Sequence, residues 1–371
     1  MKSKLETTFT EIGGNFWLKP DQWDCKSKEL SDGLFIEEAK DVFYTSSGRG
    51  AIRLFLEQIN YESKTVMLPC FTCDSVLKPF ADNDYEIIYY DIEKDFTINI
   101  GKLDTLLKKH NPSILFLQSY FGFNTLKNTA SYIDTLKKNR KICIVEDITH
   151  SLLGKYDHTN ADYYLGSIRK WLEIPDGGIL ISNNTTIDCS TIQQQENVKI
   201  TELFIEASKL KHDYILKSLP ELKDKFRTLF YKAEGILNSQ KDIFPISEIS
   251  KYILSTADFW EMGLRRRENY NFLYKELSKI HSFQIVFPQT TKEMTPLYFC
   301  IDCKGERAEI QKRLASNEIY APVIWPKSDY LSNAKSNYDT FFYEDLLSIP
   351  CDQRYDLQRI KNIVAVLKAL N

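Results

Sequence analysis

The sequence has no long hydrophobic run and no excess of charge of one sign. Its 48 Lys and Arg residues stand against 51 Asp and Glu residues, which gives a formal net charge of −3. Such a balance gives no electrostatic reason to expect a nucleic acid or an acidic membrane as a partner. No apolar segment approaches the length of a membrane span, and the N-terminus lacks the apolar region of a signal peptide. We therefore expect a cytoplasmic protein.

Cysteine is too sparse for a small secreted scaffold, because the chain has eight cysteines in 371 residues. This also favours a reducing cytoplasm. Two Cys-x-x-Cys pairs, Cys70/Cys73 and Cys300/Cys303, have a spacing that occurs in zinc sites. The second pair lies in a predicted strand, where residues three apart point to opposite faces of the sheet. We therefore predict no metal site and interpret these cysteines as small buried residues.

Internal repeats and low-complexity tracts are absent, and the pattern that remains is one of alternating strands and helices. Apolar runs at 65–69, 86–91 and 113–118 predict strands, and 103–110 predicts a helix. Strands that alternate with helices indicate a parallel, doubly wound sheet. With 43% hydrophobic residues, the chain can bury one large core and a smaller lobe.

The residues around Asp147 point to a specific chemistry. The apolar run 142–145 ends at Glu146 and Asp147, as a buried parallel strand does when it ends in a cleft. In open α/β sheets, ligands bind at such strand ends. Further along the chain, Ser167 and Lys170 have Ser-x-x-Lys spacing. Pyridoxal 5′-phosphate (PLP) needs a lysine amine for its attachment and a carboxylate that keeps its pyridine nitrogen protonated. We therefore predict Lys170 and Asp147 as catalytic residues.

With these residues the chain resembles the DegT-type sugar aminotransferases, a branch of the fold type I PLP enzymes, over roughly 10–190 and 245–371. The resemblance implies an α/β fold whose large PLP-binding domain, 1–250, has a mostly parallel mixed sheet flanked by helices. A smaller α+β domain is expected at 251–371. The segment at about 200–243 has helical periodicity and is interpreted as a helical insertion that covers one edge of the fold. The resemblance also implies a homodimer.

The turn after residue 46 is the expected site of the cofactor phosphate. A glycine-containing turn followed by a helix N-terminus presents backbone N–H groups and the positive end of the helix dipole to an anion. Ser47, Gly48 and Arg49 occupy the positions of the family's phosphate-binding Ser-Gly-Thr segment. Arg49 replaces the usual threonine, although its backbone N–H remains available. Ser167 lies three residues before Lys170, so its hydroxyl is expected to face the same phosphate.

The cofactor ring and its 3-oxygen have candidate partners that depart from the family pattern. In the family an aromatic residue in a Pro-x-x-Thr-aromatic motif stacks on the ring. Here Cys73 stands at that place and Phe71 lies two residues earlier, so either the Phe71 ring or the Cys73 thiol covers the cofactor. His150 occupies the position of the family's glutamine, three residues after Asp147, from which a side chain can reach the 3-oxygen.

The remaining segments carry weaker signals. The segment 244–249 aligns with a family Asn-x-Arg-Met signature but lacks both the asparagine and the arginine. One long helix is predicted at 250–280, and its three arginines at 265–267 are interpreted as a solvated face. Trp325 and Arg354 are candidates for the substrate pocket.

The expected function is that of a PLP-dependent aminotransferase. It would move an amino group from an amino acid, with glutamate as the expected donor, to a keto sugar. From the resemblance, the acceptor would be nucleotide-linked and destined for a surface polysaccharide or glycoconjugate. The pattern Asp-x-x-His-Ser also resembles the α-oxoamine synthases, so other PLP chemistry, including a lyase step, is an alternative. The departures at Arg49, Cys73 and Ser247 leave a non-catalytic binding or regulatory protein as the third interpretation.

Overall fold

The computed structural model describes residues 11–23, 30, 35–36, 38–217, 219–332 and 334–370. The strands in this part of the chain are β1 (Ile12–Gly13), β2 (Asp41–Thr45), β3 (Thr65–Pro69), β4 (Glu86–Tyr90), β5 (Ile114–Gln118), β6 (Cys143–Asp147), β7 (Tyr163–Ser167), β8 (Gly178–Ser182), β9 (Gln284–Ile285), β10 (Phe299–Asp302), β11 (Ile319–Tyr320) and β12 (Leu346–Ile349). The α-helices are α1 (Gly48–Gln58), α2 (Asp74–Asp82), α3 (Ile100–His110), α4 (Ala130–Asn139), α5 (Val198–Lys217), α6 (Lys223–Ser239), α7 (Glu248–Thr256), α8 (Phe259–Leu277), α9 (Arg307–Ala315) and α10 (Leu357–Lys368).

The central sheet has seven strands in the order β2-β8-β7-β6-β5-β3-β4. The pairs from β7 to β4 are parallel, whereas β8 runs antiparallel to both β7 and β2. The prediction of a mostly parallel mixed sheet flanked by helices is therefore confirmed. Strands β3, β5 and β6 are buried along their whole length, as their continuous apolar sequences require. The two edge strands, β2 and β4, are only partly buried.

The C-terminal part of the chain carries a second, antiparallel sheet in the order β12-β10-β9. Helices α8 and α10 pack against each other beside it. The N-terminal segment joins this part of the molecule, because β1 pairs in parallel with β11 through Ile12 and Ile319. The boundary between two domains at 250 stays a prediction.

The single helix predicted at 250–280 is wrong, because the structure has two helices there. Ala257 is extended, and Asp258 caps α8 by accepting a hydrogen bond from the Glu261 N–H (2.9 Å). A carboxylate at an N-cap satisfies a backbone N–H that has no partner within the helix. The run therefore contains a helix start that periodicity alone did not reveal.

The predicted insertion is a pair of packed helices, α5 and α6. Pro220 lies between them, where it starts a short 3₁₀ turn, since proline cannot continue a helix from within. After α6 the chain returns to the central sheet, where Pro245 bridges to Thr45. Buried Asp176 fixes this return by accepting hydrogen bonds from the hydroxyls of Ser247 (2.5 Å) and Ser250 (2.6 Å).

None of the helices in the described residues is long and apolar enough to cross a bilayer. Nor does this part of the chain contain a group of three His, Cys, Asp or Glu side chains that could hold a metal ion. Within it, Cys70, Cys300 and Cys303 are buried free thiols.

We expect Asp176 to make the protein less stable at neutral than at acidic pH. Burial raises the pKa of its carboxyl to about 6, whereas an unfolded Asp has a pKa of about 3.9. Between these values the folded state binds more protons than the unfolded state, so the free energy of unfolding falls as the pH rises. A shift of about two pKa units corresponds to about 3 kcal/mol.

The measurement is urea unfolding of the wild type and Asp176→Asn at pH 4 and pH 7. Other groups titrate alike in both proteins, and an unfolded Asp is already about half ionised at pH 4. The wild type should therefore lose about 2 kcal/mol more than the variant between the two pH values. Parallel pH profiles would contradict the assignment.

Candidate active site

A cavity of about 700 Å³ opens at the carboxyl ends of β6 and β7. The predicted site residues that line it are Ser47, Gly48, Arg49, Cys73, Asp147, His150, Ser167 and Lys170. Trp325 and Arg354, the two candidates for the substrate pocket, line it as well. The structure therefore brings together residues that lie far apart in the sequence, with the exception of Phe71.

Asp147 is the last residue of β6 and lies buried at the base of the cavity. Its Oδ1 atom accepts a hydrogen bond from the Thr149 N–H (2.8 Å). Burial raises the pKa of the Asp147 carboxyl, since removal from water disfavours the charged form. A cation placed beside this carboxylate would be strongly stabilised.

Glu146, the other carboxylate at the end of β6, serves a structural role. Successive strand residues point to opposite faces of a sheet, and Glu146 does not line the cavity that Asp147 faces. It contacts His158 Nδ1 (2.7 Å) and accepts hydrogen bonds from the Thr159 N–H and hydroxyl. Only the second of the two carboxylates is therefore available to a ligand.

Lys170 and His150 are in direct contact, with 3.2 Å between Lys170 Nζ and His150 Nε2. The Phe121 N–H donates to His150 Nδ1 (3.3 Å), so Nδ1 carries no proton and the proton of the neutral ring is on Nε2. That Nε2–H points at Lys170 Nζ. The contact is a hydrogen bond only if the lysine nitrogen offers a lone pair, which is the form of an amine that can act as a nucleophile.

Aromatic rings hold His150 in this position. Its ring stacks on Trp325, with centroids 5.1 Å apart and planes 21° apart, and it also contacts Phe121. Burial lowers the pKa of His150 well below its usual value. The imidazole is therefore neutral. Trp325 also lies beside the lysine, with its ring centroid 5.1 Å from Lys170 Nζ.

The N-terminus of α1 is the place where the sequence predicts a cradle for an anion. Ser47 caps this helix by accepting a hydrogen bond from the Gly50 N–H (3.0 Å), and the N–H groups of the first turn have no partner within the helix. Ser167 lies against it, because a Cβ built on Gly48 would be 3.1 Å from Ser167 Cβ. The two segments thus meet at one end of the cavity.

The Arg49 side chain explains how an arginine is accommodated at this turn. Its Nη1 atom donates to the Leu237 carbonyl (3.0 Å) and to Asn238 Oδ1 (3.2 Å), both on α6. The guanidinium thus lies between the two helices, while the backbone N–H stays in the first turn of α1.

Phe71 does not line the cavity, contrary to one of the two predicted alternatives for the ring-covering residue. Its side chain is fully buried and stacks on Phe342, with centroids 4.7 Å apart. It belongs to an aromatic cluster beneath the site, which includes Trp325. Cys73 does line the cavity, at the N-cap of α2, so the thiol remains the candidate from this segment.

Known proteins match this chain in structure rather than in sequence. No family model and no curated protein matches the sequence. The aminotransferase PseC of Helicobacter pylori, involved in the biosynthesis of pseudoaminic acid, matches with a TM-score of 0.68 at 14% identity over 97% of this chain and 98% of its own. The PMP form of Spr1654 from Streptococcus pneumoniae matches with a TM-score of 0.68 at 12% identity over 97% of each chain. A DegT DnrJ EryC1 StrS aminotransferase from Brucella abortus matches with a TM-score of 0.63 at 15% identity over 96% of this chain and 91% of its own.

The chain has the fold of the DegT-type aminotransferases. The resemblance predicted from the sequence is confirmed in the fold, which spans nearly the whole chain. At identities of 12–15% the likeness concerns the fold, so the function is argued from the residues of the site.

Sequence reasoning missed the residues that the insertion contributes to the candidate site. Phe204 of α5 and Glu234, Leu237 and Asn238 of α6 line the cavity. The insertion was expected to cover an edge of the fold, and it instead forms a wall of the candidate active site. No motif marks these residues, since their place depends on how two helices fold back onto α1.

Arg266 was also misinterpreted, because it is buried rather than part of a solvated face. Only 1% of it is exposed, and its guanidinium lies 4.7 Å from the Trp171 ring centroid. Its Nη1 atom donates to two backbone carbonyls, those of Pro296 and Leu297. Arg265 has the expected character, since it pairs with glutamates on the surface of α8. A helical period of 3.6 separates neighbouring arginines onto different faces.

We expect His150 and His158 to differ in charge at pH 6.5. His150 should stay neutral with its proton on Nε2 between pH 5 and 8, because burial lowers its pKa. His158 is also buried, but the Glu146 carboxylate raises its pKa above the usual value of 6.5. His158 should therefore be protonated at pH 6.5 and lose its proton only at higher pH.

The measurement is the ¹⁵N chemical shifts of the histidine rings across this pH range. His150→Gln and His158→Gln assign the two signals, and each variant serves as the control for the other. A His150 signal that titrates between pH 5 and 8 would show that the proposed tautomer is wrong.

Proposed function

We propose that this protein is a PLP-dependent aminotransferase that transfers an amino group from an amino acid to a keto sugar. The observation that carries the proposal is the contact between Lys170 Nζ and neutral His150 at 3.2 Å, in one cavity with buried Asp147. The fold shared with sugar aminotransferases supports the same reaction class. A binding protein would not need an amine held ready to react beside a buried carboxylate.

The residues of the cavity fit PLP at three separate points. Lys170 offers an amine for the aldehyde, Asp147 offers a carboxylate for the ring nitrogen, and the N-terminus of α1 with Ser167 offers donors for the phosphate. The cavity of about 700 Å³ lies within the usual range for small-molecule sites. Cys73 and the His150–Trp325 pair are the groups available to cover the ring.

When bound, PLP supplies an electron sink that stabilises negative charge on a substrate carbon. The chain supplies the binding and the proton transfers. With the cofactor bound, Lys170 Nζ would be the group that accepts and returns the substrate proton, as a general base and then a general acid. His150 would present its one N–H, on Nε2, to the cofactor oxygen or to this amine. Asp147 would hold a protonated ring nitrogen, because its buried carboxylate favours a cationic partner.

The part of the cavity that the N-terminal segment and the C-terminal part of the chain line has the character of a sugar site. It is lined by aromatic and hydrogen-bonding side chains, namely Asn15, Phe16, Tyr298, Gln311, Tyr320 and Arg354. Arg354 is held by two hydrogen bonds to Asp352 and by its contacts with Gly14 O and Asn15 O. We propose glutamate as the donor and a nucleotide-linked keto sugar, for a surface polysaccharide or glycoconjugate, as the acceptor. We further propose a cytoplasmic homodimer.

Borohydride reduction should fix PLP on Lys170. Protein loaded with PLP, reduced and digested should carry the modification on the peptide that contains Lys170, and Lys170→Ala should lose it. Lys211 is the internal control, since burial lowers its pKa to about 8. It should stay unmodified because it does not line the cavity and is paired with Glu11. Modification of another lysine, or of none, would refute the proposal.

Asp147→Asn should separate cofactor attachment from turnover. Lys170 is unchanged in this variant, so we expect borohydride-stable attachment to persist. The conversion of bound PLP to pyridoxamine phosphate by glutamate alone should slow on the order of 10²–10³-fold, as for the loss of one electrostatic group in an active site. The rate is measured from the loss of the PLP absorbance in a single turnover. A wild type that glutamate does not convert would instead favour the oxoamine synthase or lyase alternative.

A further inference from the structure

The insertion places a carboxylate beside two arginines at the phosphate end of the cavity. Glu234 of α6 forms an ion pair with Arg169, the residue before Lys170. The same helix accepts the hydrogen bonds of Arg49 through Leu237 and Asn238. Both arginines and Glu234 line the cavity. Helix α6 thus contacts the guanidinium groups of Arg49 and Arg169, two residues that belong to the segments forming the cradle.

Neither guanidinium has all its donors satisfied. The Nε atoms of Arg49 and Arg169 are buried without a hydrogen-bond partner among the described residues. Arg49 is only 9% exposed, so water does not readily replace the missing partner. A buried N–H of a charged group without a partner costs free energy. An anion at this end of the cavity would supply acceptors that the protein alone does not.

Both arginines are close to the cradle because of their positions in the sequence. Arg49 is in the first turn of α1, and helical side chains lean toward the N-terminus of their helix. Arg169 lies two residues after Ser167, whose Cβ is near Gly48. The anion site at the start of α1 is therefore flanked by one cation from each of its two segments.

The charges also require such cations. A phosphate monoester carries about −1.5 to −2 charges at pH 7, whereas the hydroxyls of Ser47 and Ser167 and the amides of α1 are neutral. Arg49, Arg169 and Glu234 together contribute a net charge of +1. Without this net positive charge, only the dipoles of the hydroxyls and amides would stabilise the charge of the phosphate in a partly buried site.

We propose that Arg49 and Arg169 form a cationic clamp that neutralises the cofactor phosphate, and that Glu234 positions this clamp from the inserted helix. This inference rests on the proposed function, since it concerns the same cofactor. It assigns a role to the arginine that replaces the usual threonine and to a helix that the sequence motifs do not cover. Arg49 and Arg169 are binding residues, and Glu234 is a positioning residue.

The test compares PLP with pyridoxal, which lacks the phosphate. Apoprotein is titrated with each compound, and binding is followed by the absorbance of the protein-bound chromophore. Arg169→Gln should weaken PLP binding by about 10- to 100-fold, the range expected for a lost charge-assisted hydrogen bond. Pyridoxal binding should change by less than about 2-fold. The matched control is Arg265→Gln, since Arg265 pairs only with Glu261 and Glu268 on the surface.

Glu234→Gln gives the second arm of the test. Glutamine keeps an acceptor for Arg169 but removes the negative charge that opposes the phosphate. PLP binding should therefore become several-fold tighter, on the order of 3- to 10-fold for one charge at this range, with pyridoxal unaffected. If the Arg169–Glu234 ion pair served only to stabilise the fold, both variants would bind PLP and pyridoxal more weakly and to the same extent.

The remaining outcomes separate this inference from the proposed function. A wild type that binds neither compound overturns both. A wild type that binds PLP, with Arg169→Gln affecting PLP and pyridoxal equally, overturns the clamp alone. Unchanged PLP binding in Arg169→Gln, combined with weaker inhibition by uridine diphosphate, would assign the arginines to a phosphate of the acceptor and would also overturn the clamp.

Discussion

The contact between Lys170 and His150 depends on one backbone turn. Phe121 and Gly122 follow β5 with positive φ angles of 53° and 89°, and this turn presents the Phe121 N–H to His150 Nδ1. Gly122 is required there, since a Cβ would lie 1.8 Å from the Thr295 carbonyl oxygen. The turn thus fixes the tautomer of the histidine, and the tautomer decides that Lys170 meets a donor. A substitution in this turn would therefore alter the contact between His150 and the Lys170 amine, although the turn itself does not contact the amine.

Burial of charge is the constraint that the rest of the cavity satisfies. The Asp147 carboxylate and the His150 imidazole are buried, where a charged group without a partner costs several kcal/mol, and the Lys170 amine is partly buried beside them. Each is held by neighbours with fixed geometry: Asp147 by the Thr149 N–H, His150 by Trp325, and Lys170 by His150. Such preorganised groups need little reorganisation when charge moves during a reaction.

The sequence was sufficient for the parts of the site that depend on local pattern. Asp147, His150 and Lys170 lie at strand ends and turns, whose positions follow from apolar runs and short spacings. The sequence could not decide which of Phe71 and Cys73 faces the cavity. Both lie in the turn before α2, and the direction of their side chains depends on where that helix begins. Nor could it place Arg266 or Glu234, whose environments are made by elements distant in the chain. Long-range packing, rather than residue type, determined those positions.

The departure at Arg49 and the presence of the insertion are best understood together. A guanidinium buried beside α1 would have no acceptor if α6 were absent, since Leu237 O and Asn238 Oδ1 take its hydrogen bonds. An isolated buried charge is costly enough to exclude arginine from such a turn, whereas the threonine of the resembled family carries no charge. Conversely, α6 approaches the site at the point where arginines from two segments reach it. The helix pair therefore makes the substitution tolerable, and the substitution gives the helix pair a specific place to dock.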